Sequence, residues 1–333
     1  MAQILGSVEL KLYVYDGLVD KATDDATELK YTITKDKIST HSKINLEIGE
    51  LVRDYLTVSF NDNYLCNTRW VKAVVTFFDT TGAFFDVNNS QQTTTYLAFD
   101  GYGYFEDGAN PALSTNVLIS STDHYLPENV AGKIPIFKEG VGKVIIDSST
   151  TTITDDNNSN QKIQYITIPA NANTMQVYAT DNTTLLTTIT FKQLCTPKHT
   201  AYKVTFVNKF GAFQDLYFFK KTTESFTVKD EKFNSNIIKT TDGTYNIYEG
   251  EQSRYNVSGK TRLSMNTDFI SETMNQTIEE LFISENVYIR IGSQTLPIIP
   301  VSKSLTFKTS LNDKLINYTV DFEFAFTKIN NVR

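Results

Sequence analysis

The sequence contains few of the residues on which most redox and metal sites depend. Its 333 residues include two cysteines, Cys66 and Cys195, and three histidines, His41, His124 and His199. Two cysteines allow one disulfide but exclude a disulfide-rich secreted scaffold, and two free buried thiols are the favoured interpretation. Because no histidine lies at ligand spacing from a cysteine or another histidine, the sequence predicts no metal site.

Export signals and long apolar runs are missing as well. Residues 1–7 contain neither the basic segment nor the apolar segment of a secretory signal. No apolar run approaches the roughly 20 residues that a membrane-spanning helix needs. The sequence therefore predicts synthesis in the cytoplasm and no membrane span.

Methionine is scarce and the charge is acidic, whereas aromatic and β-branched residues are abundant. The chain has 4 Met against 22 Phe and 18 Tyr, and this composition favours strands over helices. The net charge of −7 and the scattered lysines argue against a nucleic-acid partner, because phosphate contacts need clustered Lys and Arg. We therefore expect no sequence-specific nucleic-acid binding.

Apolar and polar residues alternate in many short segments, which is typical of strands. The pattern predicts a mainly β protein with two or more β-sandwich-like domains and one or two short amphipathic helices. We place an N-terminal β-sandwich-like region at 1–197 and a C-terminal β domain at 198–333. The helices are expected near 48–55 and at about 268–283, with Asp268 as the N-cap of the second.

Two C-terminal patterns make specific predictions about which side chains are buried. In the second helix the apolar face consists of Ile270, Met274, Ile278, Leu281 and Phe282. The glutamates Glu272, Glu279 and Glu280 are expected to lie off that face. The clearest strand comes at the end of the chain, where one face consists of Tyr318, Val320, Phe322, Phe324 and Phe326.

Catalytic motifs are not recognisable. The chain has no Gly-x-Ser-x-Gly elbow, Walker loop or Gly-x-Gly-x-x-Gly motif, and the histidines lie in polar or loop-like segments that favour solvated side chains. Residues 154–160 resemble half of a calcium loop but lack its glycine and distal glutamate, which favours a solvated loop. Asp100, Glu106 and Asp107 define no cleft for glycoside hydrolysis. We expect no enzyme activity and no cofactor.

Tyr102, Tyr104 and Phe105 end an aromatic segment that the alternation assigns to a strand over 96–105. Aromatic strands usually belong to a core, and Gly101 and Gly103 favour a bulge or a close backbone approach. The alternative is a sugar-stacking platform made by the flat faces of the three rings.

A second aromatic run, Tyr217, Phe218 and Phe219, has apolar side chains at successive positions. Both faces of such a strand are apolar, so one face is free to contact a partner chain once the other is buried. These three residues are the candidate assembly interface. A fully buried central strand explains the pattern equally well.

Several of these segments resemble a pattern in virion proteins of tailed phages that infect Bacteroidota, including marine and crAss-like groups. The resemblance covers roughly 44–110 and 200–328, and the richness in Asn, Lys, Ile and Thr fits a low-GC host. The matching segments are Ile48–Tyr55, Trp70-Val71, Ala98–Gly108, Val207–Asp215, Glu279–Ile289, Leu296–Ile298 and Val301.

What the resemblance implies is a structural component of the tail, baseplate or neck, with no catalytic residues carried over. The expected partners are other virion proteins and copies of the same chain in a ring, and the expected location is the virion after synthesis in the host cytoplasm. The alternative is a carbohydrate- or receptor-binding β-sandwich module at the tail tip. A β-sandwich glycan hydrolase is the weakest of the three, because no acid pair is identifiable.

Overall fold

A computed structural model provides the structure of the protein. It describes residues 4–19, 27–38, 43–65, 68–86, 90–104, 106, 108–109, 111–194, 198–235, 243, 248, 250–302, 304–309 and 316–329. Strands dominate these residues and the α-helices are two short ones, which confirms the prediction of a mainly β protein.

The secondary-structure elements are labelled in chain order. The strands of the first half are β1 Leu5–Tyr15, β2 Leu29–Asp36, β3 Arg69–Asp79, β4 Gln91–Ala98, β5 Asp123–Pro127, β6 Gly132–Phe137, β7 Val141–Ile146, β8 Ser149–Thr152, β9 Ile163–Ile168, β10 Thr174–Ala179 and β11 Leu185–Leu194. The strands that follow are β12 Tyr202–Val207, β13 Phe213–Phe218, β14 Thr223–Asn234, β15 Gln252–Asn266, β16 Val287–Ile291, β17 Gln294–Pro300, β18 Thr319–Phe324 and β19 Lys328–Ile329. The helices are α1 Gly49–Arg53 and α2 Asn275–Ile283.

Two compact units divide the chain. The first comprises Met1–Gln193 and Phe206–Asp215, and the second comprises Leu194–Thr205 and Leu216–Arg333. The sequence analysis placed a boundary between 197 and 198 and did not anticipate that Phe206–Asp215 joins the first unit.

The first unit contains a four-stranded sheet in the order β2-β1-β3-β4. Alternate residues of β1 are buried, as the pattern predicted, and α1 packs on this side of the sheet through Val52. The half-buried side chains Ile48, Leu51 and Tyr55 surround Val52. The predicted short amphipathic helix is therefore present, and its apolar residues extend one turn beyond the helical segment.

Two further sheets complete the first unit. One has five strands in the order β5-β11-β10-β7-β8, and the other pairs β6 with β9. Their inward positions are β-branched or long apolar residues, such as Val144, Ile168 and Met175, all of which are fully buried.

The sheet of the second unit follows the order β13-β12-β16-β17-β18-β15-β14, with β19 added to β15. Phe218 and Phe322 meet edge to face in its core with ring centroids 5.6 Å apart. Phe326 was predicted on the same face as Phe322, but it is 55% exposed. The reason is that β18 ends at Phe324, so the alternation no longer applies at 326.

Helix α2 starts later than the sequence predicted. Asp268 has a left-handed backbone with φ 65° and does not cap the helix. Instead, the Ser271 hydroxyl accepts a hydrogen bond from the Thr273 amide at the start of a 3-10 turn, Glu272–Met274, that leads into α2. Glu280 was expected off the apolar face but is fully buried. Among the described residues, no helix is both long enough and apolar enough to cross a membrane.

Candidate functional site

The structure places the predicted interface Tyr217, Phe218 and Phe219 in the interior. Their exposed fractions are 6%, 0% and 4%, and the whole of β13 is buried. The chain itself therefore covers both faces of this aromatic run, and the side chains offer no surface to another subunit. This corrects the interface prediction in favour of the buried-strand alternative.

The candidate sugar-stacking residues lie beyond the end of a strand, because β4 ends at Ala98. A Cβ at Gly101 would lie 2.7 Å from the Lys209 carbonyl oxygen, and the Tyr102 amide donates to the same oxygen at 2.9 Å. The glycine thus permits a close backbone approach. The rings of Tyr102 and Tyr104 are inclined at 66°, so they do not form one flat platform. Phe105 lies outside the described residues.

The polar loop that resembles half of a calcium site is folded around a lysine. Lys162 is fully buried, and its Nζ donates to Asp155 Oδ2 at 2.5 Å, to Asn157 Oδ1 at 3.1 Å and to Glu139 Oε2 at 3.1 Å. The ring of Trp70 lies 5.6 Å from the same nitrogen. The ammonium therefore fills the position that a bound cation would take.

Main-chain hydrogen bonds fasten this loop to the turn that follows β1. The Ser159 amide donates to the Gly17 carbonyl at 2.8 Å, and the Gly17 amide donates to Ser159 Oγ at 3.1 Å. Trp70 Nε1 lies 3.1 Å from the Gly17 carbonyl and 3.2 Å from the Asn157 carbonyl. These hydrogen bonds fix the loop within the first unit, while Thr154, Asp156, Asn157 and Asn160 remain exposed, as the prediction of an exposed loop requires.

The histidines differ in their surroundings. His124 lies in β5, where it is 2% exposed and meets the ring of Phe191 edge to face. Its sequence context had suggested a solvated side chain, which the structure corrects. His199 is exposed, whereas His41, Cys66 and Cys195 lie outside the described residues.

Burial of His124 predicts acid sensitivity. Desolvation lowers its pKa from 6.5 to about 4, so between these values the unfolded chain binds a proton that the folded chain does not. The free energy of unfolding therefore falls as the pH is lowered, by about 2 kcal/mol between pH 7 and pH 5 from this group. Urea titrations of the wild type and His124→Leu at both pH values measure it. An equal pH dependence in the two proteins would contradict the assignment.

Strands β14 and β15 form a long antiparallel pair, which we call the arm. All twelve residues of β14 are exposed, and β14 forms the end of its sheet. Beyond Ser258 on β15, the described pairing is with β14 alone. A two-stranded ribbon of this kind is at best marginally stable in water, so a further contact would stabilise it.

One face of the arm continues the core face of the sheet. Leu263 on β15 is buried against Phe322 of β18, and two and four residues further out the same face carries Thr261 and Gly259. Phe226 pairs with Thr261, and its ring packs directly over Gly259.

Exposed apolar side chains extend this face towards the outer half of the arm. Phe226 is 55% exposed and Val228 is 43% exposed, and they line a shallow depression together with Val257 and Ile329. The ammonium of Lys328 lies 5.3 Å from the Phe226 ring at its border. We call Phe226, Val228, Val257 and Ile329 the arm patch. Clustered apolar exposure of this kind is typical of interaction surfaces.

The opposite face of the arm is polar and anchored. Glu323 of β18 accepts hydrogen bonds from Lys260 Nζ and from Arg262 Nε, the latter at 3.3 Å. These contacts, the Lys260 bond first, hold the pKa of the Glu323 carboxyl below its usual value. The base of the arm thus has a defined orientation, with charges on one face and the arm patch on the other.

Sequence reasoning missed β14 entirely. The only apolar residues in its 223–234 segment are Phe226, Val228 and Phe233, and charged residues fill 229–232. The alternation of Phe226 and Val228 with Ser225 and Thr227 is the signal that was available.

Comparison of the chain with protein-family models, with curated proteins and with solved structures found no significant match.

Proposed function

We propose that this chain is a structural component of a tailed bacteriophage virion, most specifically of the tail or baseplate, and that it acts through protein–protein assembly. Its partners are other copies of the chain in a homo-oligomeric ring and neighbouring virion proteins. It is synthesised in the host cytoplasm and then becomes part of the virion.

The observation that carries this proposal is the arm. Among the described residues, β14 is the end strand of its sheet, all twelve of its side chains are exposed, and the arm patch adds apolar surface beside them. Natural proteins normally shorten or cover such edges, because they associate with other strands. An arm held by an anchored base is therefore best explained as a contact for another subunit.

Two further considerations support the proposal. The sequence resemblance to phage virion proteins extends over both units, including the sheet from which the arm extends. Ring closure requires that a surface on one subunit meets a different surface on the next subunit. The arm, at one end of its sheet, provides one of these two surfaces. It does not have to meet the arm of the next subunit, as it would in a two-fold symmetric dimer.

Light scattering on the purified full chain, followed by electron microscopy of the eluted particles, tests the proposal. We expect a defined mass several times the 37.7 kDa of one chain, and closed rings or short stacks in the images. A particle of 37.7 kDa at every concentration up to the solubility limit would contradict self-assembly.

A further inference from the structure

Most open sheet edges in the described chain are protected. The edge strand β2 carries Lys30, Lys35 and Asp36, and its pairing with β1 has an irregular register. Strand β8 has four residues, β5 has five and ends at Pro127, and β13 is buried. Short length, charge, proline and irregular pairing are the features by which proteins prevent unwanted strand addition.

The edge strand β4 has none of these features. Its eight residues, Gln-Gln-Thr-Thr-Thr-Tyr-Leu-Ala, contain no charge, proline or glycine, and its pairing with β3 is regular throughout. Residues 91–96 are all exposed. A short segment with high β propensity and no charge is the composition that adds further strands most readily.

The outward-facing backbone groups of β4 follow from its register. The Phe77 amide donates to the Ser90 carbonyl at 2.8 Å, which makes these two residues a hydrogen-bonded pair. Since such pairs recur at every second residue, Gln92, Thr94 and Tyr96 bond to β3. The amides and carbonyls of Gln91, Thr93, Thr95 and Leu97 consequently point to the open edge.

We propose that the open edge of β4 is the acceptor for β14 of a second copy of this chain, so that β14 extends the four-stranded sheet of its neighbour. This proposal deepens the proposed function, on which it rests. It names both surfaces of the contact between subunits.

The chemistry of the two strands supports this choice of occupant. Residues 225–228, Ser-Phe-Thr-Val, are the uncharged stretch of β14. Glu224 precedes them, and further charged residues follow from Lys229, next to the irregular pairing between Lys229 and Glu231. An uncharged acceptor and an uncharged donor meet without desolvating a charge. Phe226 and Val228 can then pair across strands with Tyr96 and Thr94, which lie on one face of β4, and these are favourable combinations of aromatic and β-branched side chains.

The two strands differ, so the contact is head to tail. Strand β4 belongs to the first unit and β14 to the second. After the first pairing, one subunit retains an unused β14 and the other retains an unused β4. Repetition of this contact gives a ring if the rotation closes and a filament if it does not.

Cysteine cross-linking tests the pairing in the full chain, with Cys66 and Cys195 replaced by serine. One preparation carries Thr93→Cys, Thr95→Cys or Leu97→Cys, and the other carries Ser225→Cys or Thr227→Cys. Facing residues in paired strands lie close enough for a disulfide. We expect covalent dimers in mixtures of a β4 variant with a β14 variant, and none in mixtures with Thr151→Cys on β8.

Two results would overturn the pairing and leave the proposed function intact. One is a covalent dimer formed by a β4 variant alone, which would mean that β4 pairs with β4. The other is an oligomer by light scattering in which no mixture cross-links. A chain that remains monomeric by light scattering would overturn the proposed function itself.

Introducing positive charges on the open edge of β4 provides a second test, in which the strength of self-association is measured. Thr93→Lys with Thr95→Lys adds to β4 the kind of charge that protects other edges. We expect self-association to weaken by about 10-fold or more, which corresponds to about 1.4 kcal/mol. Thr151→Lys on β8 is the matched control, and equal effects of the two changes would indicate a general charge effect and contradict the pairing.

Discussion

Aspartate at Phe226 and Val228 is expected to weaken self-association by about 100-fold or more while leaving the chain folded. Both side chains are partly exposed in the single chain, so their replacement removes little of its core. In the assembled state each aspartate would have to lose its hydration inside an apolar contact. A 100-fold loss corresponds to about 2.8 kcal/mol for the pair of substitutions. Sedimentation velocity over a range of concentrations measures the change.

A matched control places the same charges elsewhere. Leu185 is 48% exposed and Val130 is 37% exposed, and both belong to the first unit, whereas the arm belongs to the second. Leu185→Asp with Val130→Asp should leave self-association within about 3-fold of the wild type, because exposed surface positions tolerate polar residues. If the control pair weakens association as much as the arm pair, the arm patch is not the contact.

Replacement of Lys162 by methionine is expected to lower the free energy of unfolding by about 3 kcal/mol. Methionine keeps the length of the side chain but removes the donor to Asp155, Asn157 and Glu139. Hydrogen bonds to a charged group contribute about 1.5–3 kcal/mol each, and breaking a buried ion pair costs about 3–5 kcal/mol. The lower end applies because the Glu139 side chain is 61% exposed and stays hydrated. Urea titration gives the value.

Lys221→Met is the control for the loss of one positive charge, since Lys221 is exposed. It should change stability by less than about 0.5 kcal/mol. A Lys162→Met protein as stable as this control would show that the loop does not depend on the buried ammonium. Added calcium should not stabilise the wild type, because Lys162 already occupies the centre of the carboxylate cluster.

The sequence predicted several of the elements that bury one side, but it missed β5, β6 and β7, which also carry buried residues. The alternation in β1 and β18 and the spacing of Ile48, Leu51 and Val52 arise because apolar side chains repeat with the period of the element. Boundaries were less reliable. Asp268 looks like a helix cap in sequence, but the side-chain cap is that of Ser271 on the 3-10 turn before α2, and it depends on backbone geometry that composition does not encode.

The wrong prediction of the assembly interface also has a physical explanation. Tyr217, Phe218 and Phe219 do have two apolar faces, as the sequence shows. Whether the second face is covered by the same chain or by another is a question of tertiary packing, which local patterns cannot answer. The structure shows that the same chain covers it.

The arm and the buried lysine were missed for opposite reasons. In β14 both faces are exposed, so the pattern that marks a half-buried strand is weak. Lys162 is charged, and nothing in the local sequence marks it as buried, because charged side chains are seldom buried unless paired. Its partner Glu139 lies 23 residues away, and no local rule connects the two.

The central claim is that assembly of the chain depends on the arm. Hydrogen–deuterium exchange of the full chain at low and high concentration tests it most directly, because it measures the protection of the arm's amides in the unmodified protein. The account predicts that peptides covering 223–234 exchange rapidly in dilute solution and become protected as the mass of the particle increases. Peptides covering 91–98 should become protected in parallel. Growth of the particle without protection of 223–234 would contradict an assembly that depends on the arm.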